Sequence, residues 1–399
     1  MKLNLHSIKY LAALLCYLFL FYSTSSVSSD KPIIIGLDAD MSAVAAEGGI
    51  AIKRGAQLAI NEINQSGGVL GRHLELVVRD HRGNPARGLA NINYFSQQEN
   101  VVAVLGGVHT PVALHELPAI HKHKMIYLSP WAAGTPIVDN GFDPNYVYRV
   151  SVRDEHAGYV LLKHGKSRNF NKFGLLLERT GWGRSNQKSM QAAANKLGLS
   201  VVGVEWFNWK EKSMQSQLKS LKEAGAEAIL LVANAPEGAA IIKGIAAMDK
   251  VERLPVLSHW GIAGGNFVNQ AGLESIRKVD LNVLQTYSFL APYNDVKMQS
   301  LLNAYKNKYD STVNSETITA ASGIVHAYDL IHILAKAIKN ANTIDREVVR
   351  DFLEKIGKYN GVLKEFNPPF SKSKHDALNY DDYIITIYNS NGYLVPAKE

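Results

Sequence analysis

Short apolar runs alternate with longer amphipathic ones along most of the chain. "PIIIGLDAD" (32–40) reads as a strand, and "GIAIKRGAQLAINEINQSGG" as a helix closed by its glycine pair. "HLELVVRDH", "VVAVLGG" and "KMIYLSP" follow as strands, separated by the helical stretches "PARGLANINYFSQQ" and "TPVALHELPAIHKH". In the first helix Ile52, Ala56, Ala59, Ile60 and Ile63 share one face, as a layer covering a sheet requires. The rhythm restarts after "YVYRVSVRDEH". "KFGLLLERT", "SVVGVEWFN", "AEAILLVANA" and "RLPVLSHWG" read as strands, with helices over 184–197, 211–224 and 236–248 between them. A helical block over 295–356 follows "LNVLQTYSFL", and the tail "YDDYIITIYNSNGYLVP" has the form of a β-hairpin turning at Asn391-Gly392. Near-continuous apolar strands in strand–helix–strand order imply parallel sheets covered by helices. The expected fold class is α/β: two doubly wound parallel-sheet lobes, joined by strand crossings rather than by a tether.

The first 29 residues stand outside this rhythm. Lys2 and Lys9 precede the short apolar core "LAALLCYLFLFY", and "STSSVSSD" supplies small residues for cleavage near Ser28 or Ser29. That is the order of an export signal, so the mature chain is expected in the periplasm, with a retained anchor as the alternative. Cys16 is the only cysteine. Leu15 before it and "YLFLF" after it are wrong for a lipoprotein signal, so the mature chain has neither thiol chemistry nor a disulfide. Of the formal net charge of +7, Lys2 and Lys9 carry two. The remaining basic residues are scattered, without the stripe that would follow a phosphate backbone, which argues against nucleic acid as a partner.

In open parallel sheets, ligands sit beyond the carboxyl ends of the strands. Here those ends read "DADMSAVAAEGG", "GGVHTP", "SPWAAGTP", "ERTGWGRSN", "EWFNWKE", "VANAPEG" and "SHWGIAGG", and they hold all five tryptophans: 131, 182, 206, 209 and 260. In "GGVHTP", Thr110 is placed to cap a helix whose first position suits Pro111, and the terminus would favour a carboxylate. Asn234 and Glu237 in "NAPEG" have capping-box spacing. Lys210 and Lys212 beside Trp206 and Trp209 suggest a solvated rim, and packing between lobes is the expected role of those two indoles. The chain shows no nucleophile elbow, phosphate loop or dinucleotide fingerprint, and no enzyme is expected. His115, His121 and His123 would not converge from one helix, so no metal is expected and no cofactor is implied. His109 is expected at the cleft, and His375 on the surface.

"IGLDADMSA", "GAQLAINEINQSGGVLGRHLELVVRDHRGNP", "VLGG" with "IYLSP", and "YRVSVRDEHAG", in this order and spacing, resemble the type I periplasmic binding proteins, in particular the branched-chain amino-acid (Leu/Ile/Val)-binding receptors of ABC transporters. The resemblance spans essentially the whole mature sequence. It implies two lobes joined by three strands, with crossings near Val150–Arg153, Thr286–Phe289 and Gly361–Lys364. The first lobe would comprise 30–151 and 288–360, the second 152–287 and 361–399. It also implies a small ligand in the cleft, with Thr110 where the family has a carboxylate-binding serine. Ala132 and Ala133 stand where a carbonyl and a threonine receive the ligand ammonium. Trp182 replaces a cleft tyrosine, and Asn234 or Ala235 an aromatic. The family's ammonium-binding acid aligns with Trp260, and the nearest hydroxyl to Ala133 is Thr135. An amino-acid ligand is thereby put in doubt. Trp131, Trp182 and Trp260 would form a flat-walled box, with Asp38, Asp40 or Glu47 supplying charge, and Tyr287 on the second crossing completes the expected set. The resemblance implies a monomer that captures an amino acid, amide or aromatic acid or amine for an ABC permease; the alternative is a sensor component that presents its closed form to a membrane receptor.

Overall fold

The computed structural model describes residues 31–290 and 296–398; the expected export signal and Cys16 lie outside them. The first sheet contains β1 (Ile33–Ala39), β2 (Leu74–Asp80), β3 (Val101–Leu105), β4 (Ile126–Ser129) and β5 (Val147–Arg149), all parallel, in the order β2-β1-β3-β4-β5. The second holds β6 (Lys172–Glu178), β7 (Ser200–Phe207), β8 (Ala228–Val232), β9 (Val256–Ser258) and β10 (Leu281–Gln285). After a two-stranded ribbon, β11 (Tyr359–Asn360) and β12 (Glu365–Phe366), the chain returns as β13 (Ile384–Tyr388) and β14 (Leu394–Pro396). The second sheet runs β14-β13-β10-β9-β8-β6-β7, with β13 and β14 antiparallel to their neighbours. Both sheets are covered by helices, and the fold is the two-lobed α/β architecture that the strand rhythm implies.

β3, β4 and β8 are buried at every residue, which is why their sequences are continuously apolar rather than alternating. The helix Ala46–Gln65 buries Ile52, Ala56, Ala59, Ile60 and Ile63, the face read from its spacing. It also buries Gly55 against the long helix Ala321–Ala341. A Cβ built on Gly55 would stand 2.0 Å from the Ile324 carbonyl oxygen, so the two backbones are in contact there. Gly55→Ala is expected to cost about 1–3 kcal/mol by forcing them apart, seen as a lower urea midpoint with an unchanged slope.

Several expectations need correction. The 295–356 block resolves into helices Val296–Lys308, Ala321–Ala341 and Arg346–Leu353, because the polar stretch around "STVNSET" supplies no apolar face. "RLPVLSHWG" contributes only three strand residues, since Pro255 cannot donate to a ladder. The tail does form a hairpin: Gly392 takes φ 83° and Asn389 accepts from the Asn391 and Tyr393 N–H groups. The expected second-lobe boundary at 361 runs too early. Before reaching β13, the segment 375–377 lies along β5 of the first sheet: Arg149 N donates to His375 O at 2.8 Å, and Ala377 N donates to Arg149 O at 2.9 Å. His375 is therefore buried rather than on the surface. It stacks on Tyr148 at 4.1 Å, with Nδ1 2.8 Å from the Val147 carbonyl oxygen.

Candidate functional site

The carboxyl ends of β3 and β4 meet those of β6, β8 and β9 across the space between the sheets. Past β4, Pro130 and Trp131 leave the first sheet, and Ser151 Oγ donates to the Trp131 carbonyl at 2.7 Å, fixing the loop. The Trp131 indole lies on Gly323, where a Cβ would come within 2.8 Å of the ring. Past β9, His259 Nδ1 accepts the Trp260 N–H at 2.9 Å and starts the 3-10 turn Trp260–Gly264. The two indoles, one from each sheet, stack with centroids 4.8 Å apart and planes at 29°. Both are buried.

Trp182 completes the wall. Thr180 caps its helix by accepting the Trp182 N–H, and the indole Nε1 donates to Asp154 Oδ1 at 3.0 Å. The ring stands edge-on to His259, with centroids 5.0 Å apart. Asp154 opens the helix Asp154–Ser167 just past the crossing at 150–153, so this bond ties Trp182 to the joint between the lobes.

One small cavity gathers most of the residues singled out from sequence: His109, Thr110, Trp131, Ala133, Trp182, Asn234 and Trp260 line it together. Its volume is about 10 Å³, close to that of a single water. Any larger guest must part Trp131 from Trp260.

The other expected residues sit elsewhere. The Ala132 carbonyl is held by Arg149 Nη1 at 3.3 Å, which turns it away from the cavity; Arg149 Nη1 also donates to the Gly134 carbonyl. The Thr135 hydroxyl accepts the Glu155 N–H at 3.2 Å. Asp40 turns back into its own loop, accepting from the N–H groups of Ala43 and Ala45 and lying 2.9 Å from His109 Nε2. Burial works to raise the Asp40 carboxyl, but these contacts override it and bring it down to about 2. Asp38 faces Asn91 within the first lobe, at 2.5 Å. Tyr287 lies in a separate chamber near the hinge.

The caps differ as well. His109 occupies the N-cap of the helix Thr110–Lys122 without a side-chain capping bond, and Thr110 is the first helical residue. The Thr110 hydroxyl accepts the Gly134 N–H at 3.1 Å instead. Asn234 does not cap with its side chain; its Nδ2 donates to Glu178 Oε2 at 2.8 Å.

Glu178 is the charged lining residue that sequence reasoning missed. It ends β6, where a carboxylate closing the apolar run "GLLLE" was the available signal. It is fully buried, and its oxygens accept from Thr180 Oγ1, Trp209 Nε1 and Asn234 Nδ2. Burial outweighs these donors and pushes the carboxyl up to about 7. Trp209, held by that bond, reaches the first lobe and packs on His109 with centroids 5.5 Å apart, which is the interlobe role expected of it.

The raised Glu178 value has a sign that can be measured. The folded chain holds this proton to higher pH than the unfolded chain, so stability falls as pH rises from about 4.5 to about 7. Asp329, raised from 3.8 to about 7 chiefly by burial, adds a slope of the same sign. Glu178→Gln is expected to flatten part of this decline in thermal midpoints taken across that window. An unchanged slope would show that the Glu178 carboxyl ionises freely.

Residues 32–390 match the family described as periplasmic binding protein. A Leu/Ile/Val-binding protein homolog 1 from Brucella abortus (strain 2308) is 23% identical over 339 residues, 84% of this chain and 85% of the relative. A periplasmic binding protein type 1 from Bordetella pertussis Tohama I superposes with a TM-score of 0.83 at 22% identity, covering 92% of this chain and all of that one. A solute-binding protein of an ABC transporter from R. palustris, in complex with 4-hydroxybenzoate, gives 0.75 at 17% identity, with 92% and 96% covered.

Proposed function

Because the chain belongs to the periplasmic binding protein family, we propose that it is an exported, non-enzymatic receptor that closes on a flat organic acid and delivers it to an ABC importer. The observation that carries this reading is the face-to-face pair of Trp131 and Trp260, contributed by opposite sheets at 4.8 Å. A planar guest entering between them would exchange indole–indole contact for two indole–guest contacts, and only the closed arrangement provides both. The acid end of the guest would meet the start of the helix Thr110–Lys122, where Thr110 lines the cavity.

The same lining argues for an aromatic acid over an α-amino acid. An α-ammonium needs acceptors, and the backbone candidates are already engaged: the Ala132 carbonyl by Arg149, and the Ala133 carbonyl by the Asp154 N–H at 2.9 Å. Glu178, the acid in the lining, has its oxygens turned to Thr180, Trp209 and Asn234. An ammonium there would be buried with too few partners.

A thermal-shift screen of benzoates, amino acids, amides and quaternary amines tests this reading. A saturable rise in melting temperature with one or more aromatic acids is expected, growing with the logarithm of concentration above Kd. Shifts confined to amino acids would overturn the aromatic-acid assignment. No shift from any class would count against capture of a small solute.

A further inference from the structure

A second space opens between the lobes, on the hinge side of the indole pair. Its volume is about 300 Å³, within the range of sites that hold small molecules. One wall comes from Glu47 and the segment 315–321, which precedes or begins the long helix Ala321–Ala341. The facing wall comes from parts of 263–269 and 386–394 of the second lobe, and the crossing after β10 forms the floor. The chamber is distinct from the indole cavity. A Cβ on Gly48 would stand 3.4 Å from the Gly264 carbonyl oxygen and 3.5 Å from the Trp131 ring, so the first turn of the helix Ala46–Gln65 closes the seam between them.

The lining is chemically one-sided. It carries the acids Glu47 and Glu316 and aromatic rings including Phe267, Tyr287 and Tyr388, and its described residues include no Lys, Arg or His. That is unexpected in a chain of formal net charge +7. Glu316 is bound by Asn389 Nδ2 at 2.5 Å, whereas Glu47 makes no hydrogen bond or ion pair with a described residue. Burial alone raises the Glu47 carboxyl above its usual range, as expected where no cation balances it. The floor adds a second unsatisfied group. Gln285 is buried and its Oε1 accepts from Ser322 Oγ, but its Nε2 has no hydrogen-bond partner among the described residues. A buried donor left in this state is costly, and a guest's oxygen would relieve it.

We propose that this chamber is a second ligand site, for a small organic amine with an apolar or aromatic body. Glu47 takes the ammonium, the aromatic lining that includes Tyr287 and Tyr388, the latter backed by Phe267 stacked on it at 5.3 Å, packs on the body, and Gln285 is the donor for a hydroxyl or carbonyl oxygen. Because its walls come from both lobes, an occupant bridges them, as a guest between the indoles would. The proposal is independent of which acid the indole cavity takes.

Isothermal titration with phenylethylamine and with choline tests it, on the wild-type chain and on Glu47→Gln and Thr110→Ala variants. Glu47 has no hydrogen-bond or ion-pair partner among the described residues to lose, so the first variant is expected to fold normally, which its melting curve checks. Saturable binding of at least one amine is expected in the wild type, weakened about tenfold or more by Glu47→Gln and unchanged by Thr110→Ala. Three outcomes would overturn the site: no saturable binding of either amine, equal affinity in Glu47→Gln, or an equal loss in Thr110→Ala, which would move the amine to the indole cavity. Failure here with aromatic acids still bound would leave the proposed function standing.

Discussion

Trp260→Ala is expected to weaken binding of the cleft ligand by well over tenfold and to shift the unliganded chain toward a more open form. The indole is buried, yet its closest ring partner is Trp131 of the other lobe, at 4.8 Å, with His326 of the long helix Ala321–Ala341 next at 6.0 Å. Its burial therefore depends on the lobes being together. Removing it costs the closed state an aromatic pair and its buried area, while either lobe keeps its own core. A loss of only 1.4 kcal/mol is already tenfold in affinity, and a buried tryptophan carries more than that. Titration calorimetry gives the affinity, and small-angle scattering gives the shape: the radius of gyration of the variant should exceed that of the wild type. An unexpanded variant with a sharply lower melting temperature would instead mark Trp260 as a core residue. Trp131→Ala should cost more of the fold, because that ring also fills the space over Gly323.

The largest loss of stability is expected from Asp376→Ala. Arg149 is fully buried, and Asp376 pairs with its Nε on one oxygen and with Arg153 Nη1 on the other, the latter at 2.8 Å. This pairing holds the returning tail against β5 and sets the loop that carries Trp131, since Arg149 also binds the carbonyls of Ala132 and Gly134. Removing the carboxylate leaves a guanidinium buried without its counter-charge, at a cost of about 3–5 kcal/mol. Urea unfolding should show it. Burial on its own would raise the Asp376 carboxyl; the two guanidiniums override that and hold it below the usual range. Its contribution is therefore full above the ordinary carboxyl range and is lost as pH falls through the depressed folded value, the reverse of the Glu178 trend. The stability gap between wild type and Asp376→Asn should close at low pH. A gap that persists in acid would show that the ion pair contributes nothing.

The strand rhythm was legible because parallel strands buried on both faces must be continuously apolar, and the covering helix Ala46–Gln65 must be striped. The course of the tail was not. Nothing in "KHDALNY" has a strand period; its place is set by Arg149 and Asp376, which are 227 residues apart. The site was legible in part. Reading only strand ends found Trp131, Trp182 and Trp260, because a sheet gathers its carboxyl ends whatever their separation in sequence. Orientation was hidden. Asp40 and Ala132 stand in the right loops but spend their polar atoms on His109, on neighbouring N–H groups and on Arg149. Which of two faces a loop residue presents depends on partners from other strands, and no local pattern encodes that. Glu47 shows the reverse: it was read as a source of charge for the indole box, and one residue of offset from Gly48 turns it into the neighbouring chamber.

The most direct test is a crystal structure with the tightest ligand from the screen. With a flat guest between them, the indoles of Trp131 and Trp260 should stand about 7–8 Å apart, two van der Waals layers, with the guest's acid group at Thr110. A bound guest with the two rings still stacked at 4.8 Å would contradict capture between them.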